Sequence, residues 1–221
     1  ANKLEDVFIL AEQFTKNLGF STFIYGFLAN TPKQGVKPTF ISNYPSVWLD
    51  TYLENDYCQQ DPTVSHGLRS TTPLVLSQDT FVPSKPLYEV CKSHGIKHGW
   101  SQSIHSPTGM AMLQLSRDSQ AINEKELKAQ LPYLLWFTHA INQALEKFSF
   151  HKTPELSRIS LTLREKEILR WTADGKTAYV ISKILVISER TVKFHLSNTM
   201  SKLDCHNKVA TTVKALAMGL I

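Results

Sequence analysis

The sequence predicts an α+β protein made of two parts: a domain with an antiparallel sheet flanked by helices, then an all-helical domain. Three observations support this prediction. Short β-branched and aromatic runs alternate with helical patterns in the first two thirds of the chain, only helical patterns follow, and the excess positive charge lies in the helical part. The length of 221 residues is sufficient for two small domains, each with its own core.

The composition argues against a disordered, a membrane-spanning or a secreted protein. The chain is 42% hydrophobic and 19% charged, which excludes wholesale disorder. Because no apolar run reaches about 18 residues, we expect no transmembrane helix and no membrane partner. The first twenty residues do not resemble a signal peptide, and three separated cysteines without a Cys-x-x-Cys pair fit a reducing cytoplasm.

Charge divides the chain unevenly. Residues 157–221 hold eleven Lys or Arg and five Asp or Glu, a net charge of +6, whereas the preceding residues have a net charge of −1. This asymmetry predicts a nearly neutral domain joined to one that binds a polyanion. The polar segment 151–160, which contains Pro154, is the predicted linker between a domain at 1–150 and a domain at 161–221.

The elements of the first domain follow from periodicity and turn residues. A helix is predicted from Leu4, where apolar residues begin to recur at helical spacing, to a stop at Gly19. Asp61 and Pro62 form an N-cap and first helical position. Strands are predicted at 21–27, 39–43, 73–76, 100–105 and 110–115, with a hairpin turn at 106–109. Other helices are predicted at 46–55, 62–69 and 84–94.

A long helix is predicted to close this domain. Asn123 and Glu126 resemble a capping box at its start. Pro132 predicts a kink or a later start. The apolar stripe, spaced alternately by four and three residues, consists of Leu127, Leu131, Leu134, Thr138, Ile141, Leu145 and Phe148. Such a stripe suits either packing against the domain's own sheet or a dimerisation seam.

The last part predicts four capped helices. Thr162 and Glu165 form a capping box, and Thr177, Ser188 and Asn207 are the later N-caps. A three-residue turn at 186–188 joins the second helix to a third that is polar and basic on one face. Two helices joined by such a turn are typical of the helix-turn-helix motif.

Double-stranded DNA is therefore the expected partner of this part. Lys193 is placed to donate to guanine, whereas Arg190 and Lys202 suit phosphate contacts. The helix N-termini at Thr177 and Ser188 also offer N–H groups to phosphate. The complete set of candidate DNA-binding residues is Lys176, Thr177, Ser188, Arg190, Thr191, Lys193, Ser197 and Lys202.

The C-terminal segments resemble the LuxR-type helix-turn-helix. The resemblance rests on LTLREKEIL at 161–169, WTADGKT at 171–177 and ISERTVKFH at 187–195, and it continues from Lys202 to Ile221. One departure is Val180, where the family usually has Glu. Phosphorylated receiver domains share this module, but the first predicted strand lacks the acidic residues that follow it in a receiver.

Aromatic residues indicate a binding site in the first domain. Tyr44, Trp48 and Tyr52 recur every four residues, and Asp61 begins the next helix. These side chains combine N–H and O–H donors with a carboxylate acceptor, which suits a small amphipathic ligand in an apolar pocket. The same rings are also compatible with ordinary core packing, and the aspartate with a simple N-cap.

This spacing resembles the autoinducer-binding domain of quorum-sensing LuxR receptors over most of residues 4–148. The resemblance implies an α-β-α sandwich and an N-acyl-homoserine lactone as ligand, with no cofactor. It implies that Trp48 donates to the lactone carbonyl, that Asp61 accepts the amide N–H, and that Tyr44 and Tyr52 line the amide and acyl region. Gly99 matches a family glycine.

Two departures keep alternatives open. Leu76 stands where the family usually has a second tryptophan, and Gln114 stands where it has a serine or threonine near the ligand carbonyl. They are compatible with a bulkier lactone, loose selectivity or another ligand class. The alternative function is a LuxR-type DNA-binding factor that responds to a non-lactone molecule or acts without ligand.

Catalysis is not expected. The sequence GWSQS at 99–103 lacks the final glycine of a nucleophile elbow, and glycines follow both His94 and His98, which argues against a helix-borne metal pair. The resulting hypothesis is a cytoplasmic, ligand-responsive transcriptional regulator. We expect it to form a homodimer that binds two half-sites about one DNA turn apart.

Overall fold

The computed structural model describes residues 3–30, 38–148, 150 and 159–221. These residues form two compact units, one built around a β-sheet and one built from helices alone. Of the predicted linker at 151–160, residues 151–158 lie outside the described residues. The domain boundaries drawn from the sequence therefore stay a prediction.

A five-stranded sheet forms the middle layer of the first unit. Its strands are β1 (Thr22–Ala29), β2 (Thr39–Ser42), β3 (Leu74–Leu76), β4 (His98–Ser106) and β5 (Gly109–Arg117). Across the sheet they follow the order β2-β1-β5-β4-β3. The pairs β1–β2, β3–β4 and β4–β5 are antiparallel. The predicted antiparallel sheet of five short strands is confirmed.

Helices cover both faces of this sheet. They are α1 (Leu4–Asn17), α2 (Ser46–Glu54), α3 (Pro62–Gly67), α4 (Lys85–Ser93) and α5 (Glu124–Lys147). On one face α1 packs against α5, where the rings of Phe14 and Phe137 are 4.7 Å apart. On the other face α3 lies over β4 and β5, because Gly67 is in contact distance of Met110 and Met112. The α-β-α sandwich implied by the resemblance is confirmed.

Two short 3₁₀ segments were not predicted. They cover Tyr57–Gln59 and Asp79–Ser84. The first follows Asp56, which adopts a left-handed conformation with φ of 49°. A non-glycine residue in this conformation leaves little signal in a sequence, because the usual marker of such a turn is glycine.

The start of α5 differs from the prediction in one respect. The Asn123 side chain caps the helix by accepting the Glu126 backbone N–H at 2.9 Å. Glu126 does not complete the capping box, because its carboxylate accepts from the guanidinium of Arg117 at 2.6 and 2.7 Å. The helix contains Pro132 well inside it, so the suggested later start is wrong.

The apolar stripe of α5 faces inward. Leu134, Thr138, Ile141 and Leu145 are buried, so these residues belong to the core of the unit rather than to an external seam. Two large aromatic side chains of this helix, Tyr133 and Trp136, are nevertheless 59% and 60% exposed, and the Trp136 ring also packs against Phe14 of α1 at 5.4 Å.

The second unit contains α6 (Leu163–Ala173), α7 (Ala178–Ile184), α8 (Glu189–Lys202) and α9 (Lys208–Ala217). Each begins at its predicted cap, whose side chain accepts a backbone N–H; the caps are Thr162, Thr177, Ser188 and Asn207. A core that includes Ile168, Leu169, Ile181, Val192 and Leu203 joins the helices. The predicted four-helix arrangement is confirmed. Within the part of the chain that the structure describes, no helix has the length and apolarity that crossing a bilayer requires.

Candidate functional site

The first unit contains a mostly apolar cavity between the sheet and helices α2 and α3. The empty space among its lining residues is about 670 Å³, which includes open solvent at its mouth. The sheet contributes Ile24, Gly26, Phe27, Leu28, Phe40, Met110, Met112 and Gln114. The rest of the wall consists of Pro38, Trp48, Leu49, Tyr52, Leu53, Cys58, Asp61 and Val64. An apolar cavity with few polar groups is typical of a small-molecule site.

Helical spacing brings the predicted polar residues together in this wall. Trp48 and Tyr52 lie one turn apart on α2, with their ring centroids separated by 4.9 Å. Asp61 is the N-cap of α3, and its carboxylate accepts the Tyr52 hydroxyl at 3.0 Å. The three side chains that the resemblance assigned to the ligand's polar group therefore line one cavity.

Asp61 keeps capacity for one more hydrogen bond. Its Oδ1 accepts the backbone N–H of Thr63 at 2.8 Å and the Thr63 hydroxyl at 2.7 Å, while Oδ2 accepts from Tyr52. The Val64 backbone N–H interacts weakly with the carboxylate as well. An ionised carboxylate offers about four acceptor positions, so Oδ2, with Tyr52 as its one close donor among the described residues, remains able to accept from a ligand. Burial raises the pKa of Asp61, although the hydrogen bonds from Thr63 and Tyr52 oppose that rise.

The Tyr52 hydroxyl remains a donor at neutral pH. Burial and then the neighbouring Asp61 carboxylate raise the pKa of Tyr52 well above 10. A protonated phenol beside a carboxylate acts as its fixed hydrogen-bond partner. Tyr52 therefore holds the Asp61 carboxylate in place at the cavity wall.

Trp48 has an unpaired donor at the cavity. The residue is 4% exposed, and its indole Nε1 has no hydrogen-bond acceptor among the described residues. The Cys91 thiol, a weak acceptor, interacts with the indole without meeting hydrogen-bond geometry. Burial raises the pKa of this thiol to about 12, and the contact with Trp48 opposes that rise, so the thiol stays protonated. An unpaired buried N–H costs about 1–3 kcal/mol, which a ligand carbonyl would recover.

Tyr44 and Gln114 form a second polar group beside Trp48. The rings of Tyr44 and Trp48 meet edge to face with centroids 4.9 Å apart. The Tyr44 hydroxyl lies 2.7 Å from Ser116 Oγ and accepts from Gln114 Nε2 at 3.2 Å. Gln114 lines the cavity, whereas Tyr44 supports Trp48 and Gln114 from behind.

The described residues form a cavity whose wall does not include Leu76 or Gly99, and both residues lie behind that wall. Leu76 is buried in the cluster that contains Tyr44 and Trp48. A Cβ on Gly99 would overlap the backbone carbonyl of Leu115 and crowd Leu76. The structure therefore places these two predicted site residues in the packing that supports the wall, not in the wall itself.

Several wall residues were missed by the sequence analysis. Met110 and Met112 face the cavity because alternate residues of β5 point to the same face of the sheet. That alternation was a usable signal. Cys58 follows the unpredicted turn at Asp56, so its position had no comparable signal.

The second unit presents a candidate nucleic-acid surface at the start of α8. Arg190, Lys193 and Ser197 are exposed on this helix. Ser188 caps it by accepting the Thr191 backbone N–H at 3.0 Å. Lys193 forms an exposed ion pair with Glu189 at 2.6 Å, which DNA phosphates can replace at little cost.

The remaining candidates before α8 are also accessible. Thr177 caps α7 through the Val180 N–H at 3.3 Å, so the departure at Val180 leaves this cap intact. Lys176 is partly buried and pairs with Asp174 at 3.2 Å. Both residues lie at the entry to the first helix of the motif, where backbone N–H groups suit a phosphate.

Lys202 differs from the other candidates because it is already engaged within the unit. Its ammonium donates to the Glu165 carboxylate at 2.8 Å and to the Ser160 carbonyl at 3.2 Å. Burial alone would raise the pKa of Glu165, but hydrogen bonds from Lys202 and Thr162 outweigh it and lower that pKa. Lys202 thus joins the start of α6 to the end of α8.

The sequence analysis also missed an exposed aromatic residue on α8. Phe194 is 61% exposed and meets His195 edge to face at 5.7 Å. A large apolar side chain on a polar helix face is unusual, and apolar contact with thymine methyl groups is one way in which proteins distinguish bases. Its position next to Lys193 in the sequence was the signal that could have identified it as a candidate DNA contact.

Comparison with known proteins identifies the family of each unit. The autoinducer binding domain matches residues 3–145, and the luxR family of bacterial regulatory proteins matches residues 159–215. The transcriptional activator AnoR of Acinetobacter nosocomialis is 36% identical over 98% of this chain and 92% of its own length. The quorum-sensing regulator RhlR of Pseudomonas aeruginosa is 34% identical over 98% and 90%.

A solved structure shows the same architecture. SdiA in complex with octanoyl-rac-glycerol aligns with a TM-score of 0.82 and 30% identity, covering 100% of this chain and 90% of that chain. The matches span both units. The chain therefore belongs to the LuxR family of quorum-sensing transcriptional regulators, with an autoinducer-binding domain followed by a helix-turn-helix DNA-binding domain.

Proposed function

We propose that the cavity of the first unit binds an N-acyl-homoserine lactone. The observation that carries the proposal is the presence of the unpaired Trp48 indole and the Asp61 carboxylate in the lining of one cavity. A lactone with an acyl amide offers a carbonyl to the first and an N–H to the second. Its acyl chain would cover the apolar wall, which includes Met110 and Met112.

Thermal unfolding of the full chain tests this proposal. A ligand that binds the folded state raises the unfolding temperature in a dose-dependent way. We expect this rise with N-acyl-homoserine lactones of one chain-length class, and no rise with homoserine lactone that lacks the acyl chain. A flat response across the whole acyl series would contradict the proposal.

A non-lactone ligand is the second candidate, favoured by one observation. SdiA, which aligns with this chain over 90% of its own length, has been solved with octanoyl-rac-glycerol. That ester has an apolar chain and hydroxyl groups but no amide N–H for Asp61. A rise in unfolding temperature with octanoyl glycerol alone would favour this class, and no rise with either ligand would favour action without ligand.

We propose that the regulator acts as a homodimer in the cytoplasm, by binding rather than by catalysis. Two copies would place their α8 helices on half-sites about one DNA turn apart. The proposed DNA surface consists of Lys176, Thr177, Ser188, Arg190, Thr191, Lys193 and Ser197. The inward orientation of the α5 stripe leaves Tyr133 and Trp136 as the candidate dimer contact of the first unit.

A further inference from the structure

Phe194 is a large apolar side chain on the outer face of α8, where it is 61% exposed. Val192 and Leu196, two positions before and after it, are buried in the core of the second unit. Since an α-helix turns by about 100° per residue, a residue two positions away lies about 200° around the helix axis. The Phe194 ring therefore points away from the core, on the side of α8 opposite these two residues.

The Phe194 ring lies outside the packing of the second unit. It belongs neither to the buried core nor to the partly buried apolar side chains packed against that core, as the described residues form them. Its ring meets the ring of His195, the next residue in the chain, edge to face with centroids 5.7 Å apart. Because a large exposed apolar surface gains free energy when it is covered, this ring is suited to a partner.

The side chains around Phe194 indicate the chemistry of that partner. Arg190 lies four residues before it and Ser197 three residues after it, so both exposed side chains share its face of α8. Lys193 is adjacent and also exposed. Residues 157–221 as a whole have a net charge of +6. A cationic surface around the ring complements a polyanion, so the observations favour DNA over an apolar protein surface.

The major groove of DNA offers one kind of apolar group to such a ring. Base edges there present hydrogen-bond donors and acceptors, and the C5-methyl group of thymine is the apolar exception. In a helix-turn-helix, the helix after the turn lies in this groove and its N-terminal part contacts base edges. Phe194 lies in the second turn of that helix, which begins at Glu189. Its position therefore suits contact with a thymine.

We propose that Phe194 is a specificity-determining residue that selects a thymine in the bound DNA by packing its ring against the C5-methyl group. The inference deepens the proposed DNA surface and rests on it, but it does not depend on the lactone proposal. Uracil isolates this contact, because it lacks the methyl group of thymine and keeps all of its hydrogen-bonding groups. A hydrogen bond from Lys193 or Arg190 to a base or phosphate does not require that methyl group.

The test uses the full chain and DNA that the chain selects from a random-sequence pool. The selection includes the N-acyl-homoserine lactone that raises the unfolding temperature, or no lactone if none does. Each thymine of the selected DNA would be replaced in turn by uracil, and the affinity would be measured by fluorescence anisotropy. We expect a thymine at which uracil weakens binding about fourfold, because one buried methyl group is lost. Unchanged affinity at every thymine, or a selected site without thymine, would overturn the inference.

Variants connect the methyl contact to Phe194, and its exposure favours their folding. Phe194→Ala should bind the thymine and uracil forms equally at the sensitive position. Phe194→Leu keeps an apolar side chain and should retain part of the difference. Leu163→Ala is the matched control at another exposed apolar residue of this unit, and it should keep the full difference. An undiminished difference in Phe194→Ala would assign the methyl group to another side chain and overturn the inference.

Failure of this inference is distinguishable from failure of the proposed DNA surface. Unchanged DNA affinity in Lys193→Ala and in Phe194→Ala would remove the surface at α8 and this inference with it. Weaker binding by Lys193→Ala, together with equal binding of the thymine and uracil forms by the original protein, would remove the role of Phe194 alone.

Discussion

At the scale of single residues, the cavity wall contains a hydrogen-bond donor and an acceptor position that a bound ligand can pair. Trp48 has a donor without an acceptor, and Asp61 has an acceptor position without a donor. Both deficits lie in one apolar wall, where an unpaired group is more costly than in water. The folded protein already bears the free-energy cost of leaving these two groups unpaired. A ligand that pairs both groups removes this cost and therefore binds more tightly.

Trp48→Phe tests this interpretation. The change keeps an aromatic ring but removes the unpaired N–H, so we expect the unliganded protein to lose little stability. Lactone affinity should fall about tenfold, because the ligand carbonyl loses its donor. Calorimetric titration and thermal unfolding without ligand measure the two effects. A large loss of stability with unchanged affinity would mean that Trp48 serves only the core.

Lys193 and Lys202 should separate DNA binding from stability. Lys193→Ala should weaken DNA binding and relax base preference while leaving the unfolding temperature unchanged, since its pair with Glu189 is exposed. Lys202→Ala should destabilise the second unit by about 1–3 kcal/mol, because the buried Glu165 carboxylate loses its cation.

DNA affinity measured at several salt concentrations, together with thermal unfolding, distinguishes the two roles. A reduced salt dependence for Lys202→Ala with unchanged stability would restore Lys202 to the phosphate contacts predicted from the sequence.

At the scale of elements, one ion pair fixes the start of α5. Arg117, at the end of β5, donates two hydrogen bonds to Glu126 and others to the carbonyls of Gly19, Gln120 and Ala121. The same side chain thus ties together the end of α1, the end of β5 and the first turn of α5. These hydrogen bonds hold the ends of the three elements packed against one another.

Glu126→Gln should destabilise the first unit by about 3 kcal/mol at neutral pH, because the buried guanidinium loses its charged partner. The hydrogen bonds from Arg117 lower the pKa of Glu126 below its ordinary value of 4.5. Stability from this pair is therefore complete above the ordinary pKa and is lost as the pH falls through the lowered one.

Denaturant unfolding of both proteins across this acidic range is the measurement. The difference between them should shrink as Glu126 becomes protonated. A difference that persists below the lowered pKa would show that lost packing, rather than lost charge, causes the destabilisation.

At the scale of the whole molecule, recognition is divided between the two units. The cavity lies within the first unit, and the DNA surface lies within the second. Ligand binding therefore contributes its free energy to the first unit directly. A homodimer would convert that stabilisation into DNA binding, because two linked α8 helices bind two half-sites more tightly than one.

Tyr133→Glu tests the proposed dimer contact. Because Tyr133 is 59% exposed, the substitution should leave the unfolding temperature within about 2 °C of the original protein. It should shift the mass in solution from dimer to monomer and weaken binding to a two-half-site DNA. Sedimentation with saturating lactone measures the mass. Val47→Glu, at another exposed apolar residue, is the matched control; an unchanged dimer in Tyr133→Glu would exclude this face.

The sequence predicted where helices begin better than it predicted which side chains contact each other. Caps such as Ser188 and Asn207 act locally, and their helices begin where predicted. Contacts between distant parts of the chain gave no such signal. Glu126 looked like half of a capping box but pairs with Arg117, and Lys202 looked like a phosphate contact but pairs with Glu165.

The family resemblance identified the group of Trp48, Tyr52 and Asp61, whereas residue patterns alone were sufficient to predict the two-part organisation, the antiparallel sheet and the capped helix-turn-helix. These follow from periodicity, capping and spacing over a few residues, which act through local geometry. Packing in three dimensions settled which side chains line the cavity, that the α5 stripe faces inward, and that Glu126 pairs with Arg117. Such features depend on contacts between residues far apart in the chain, and local patterns carry no record of them.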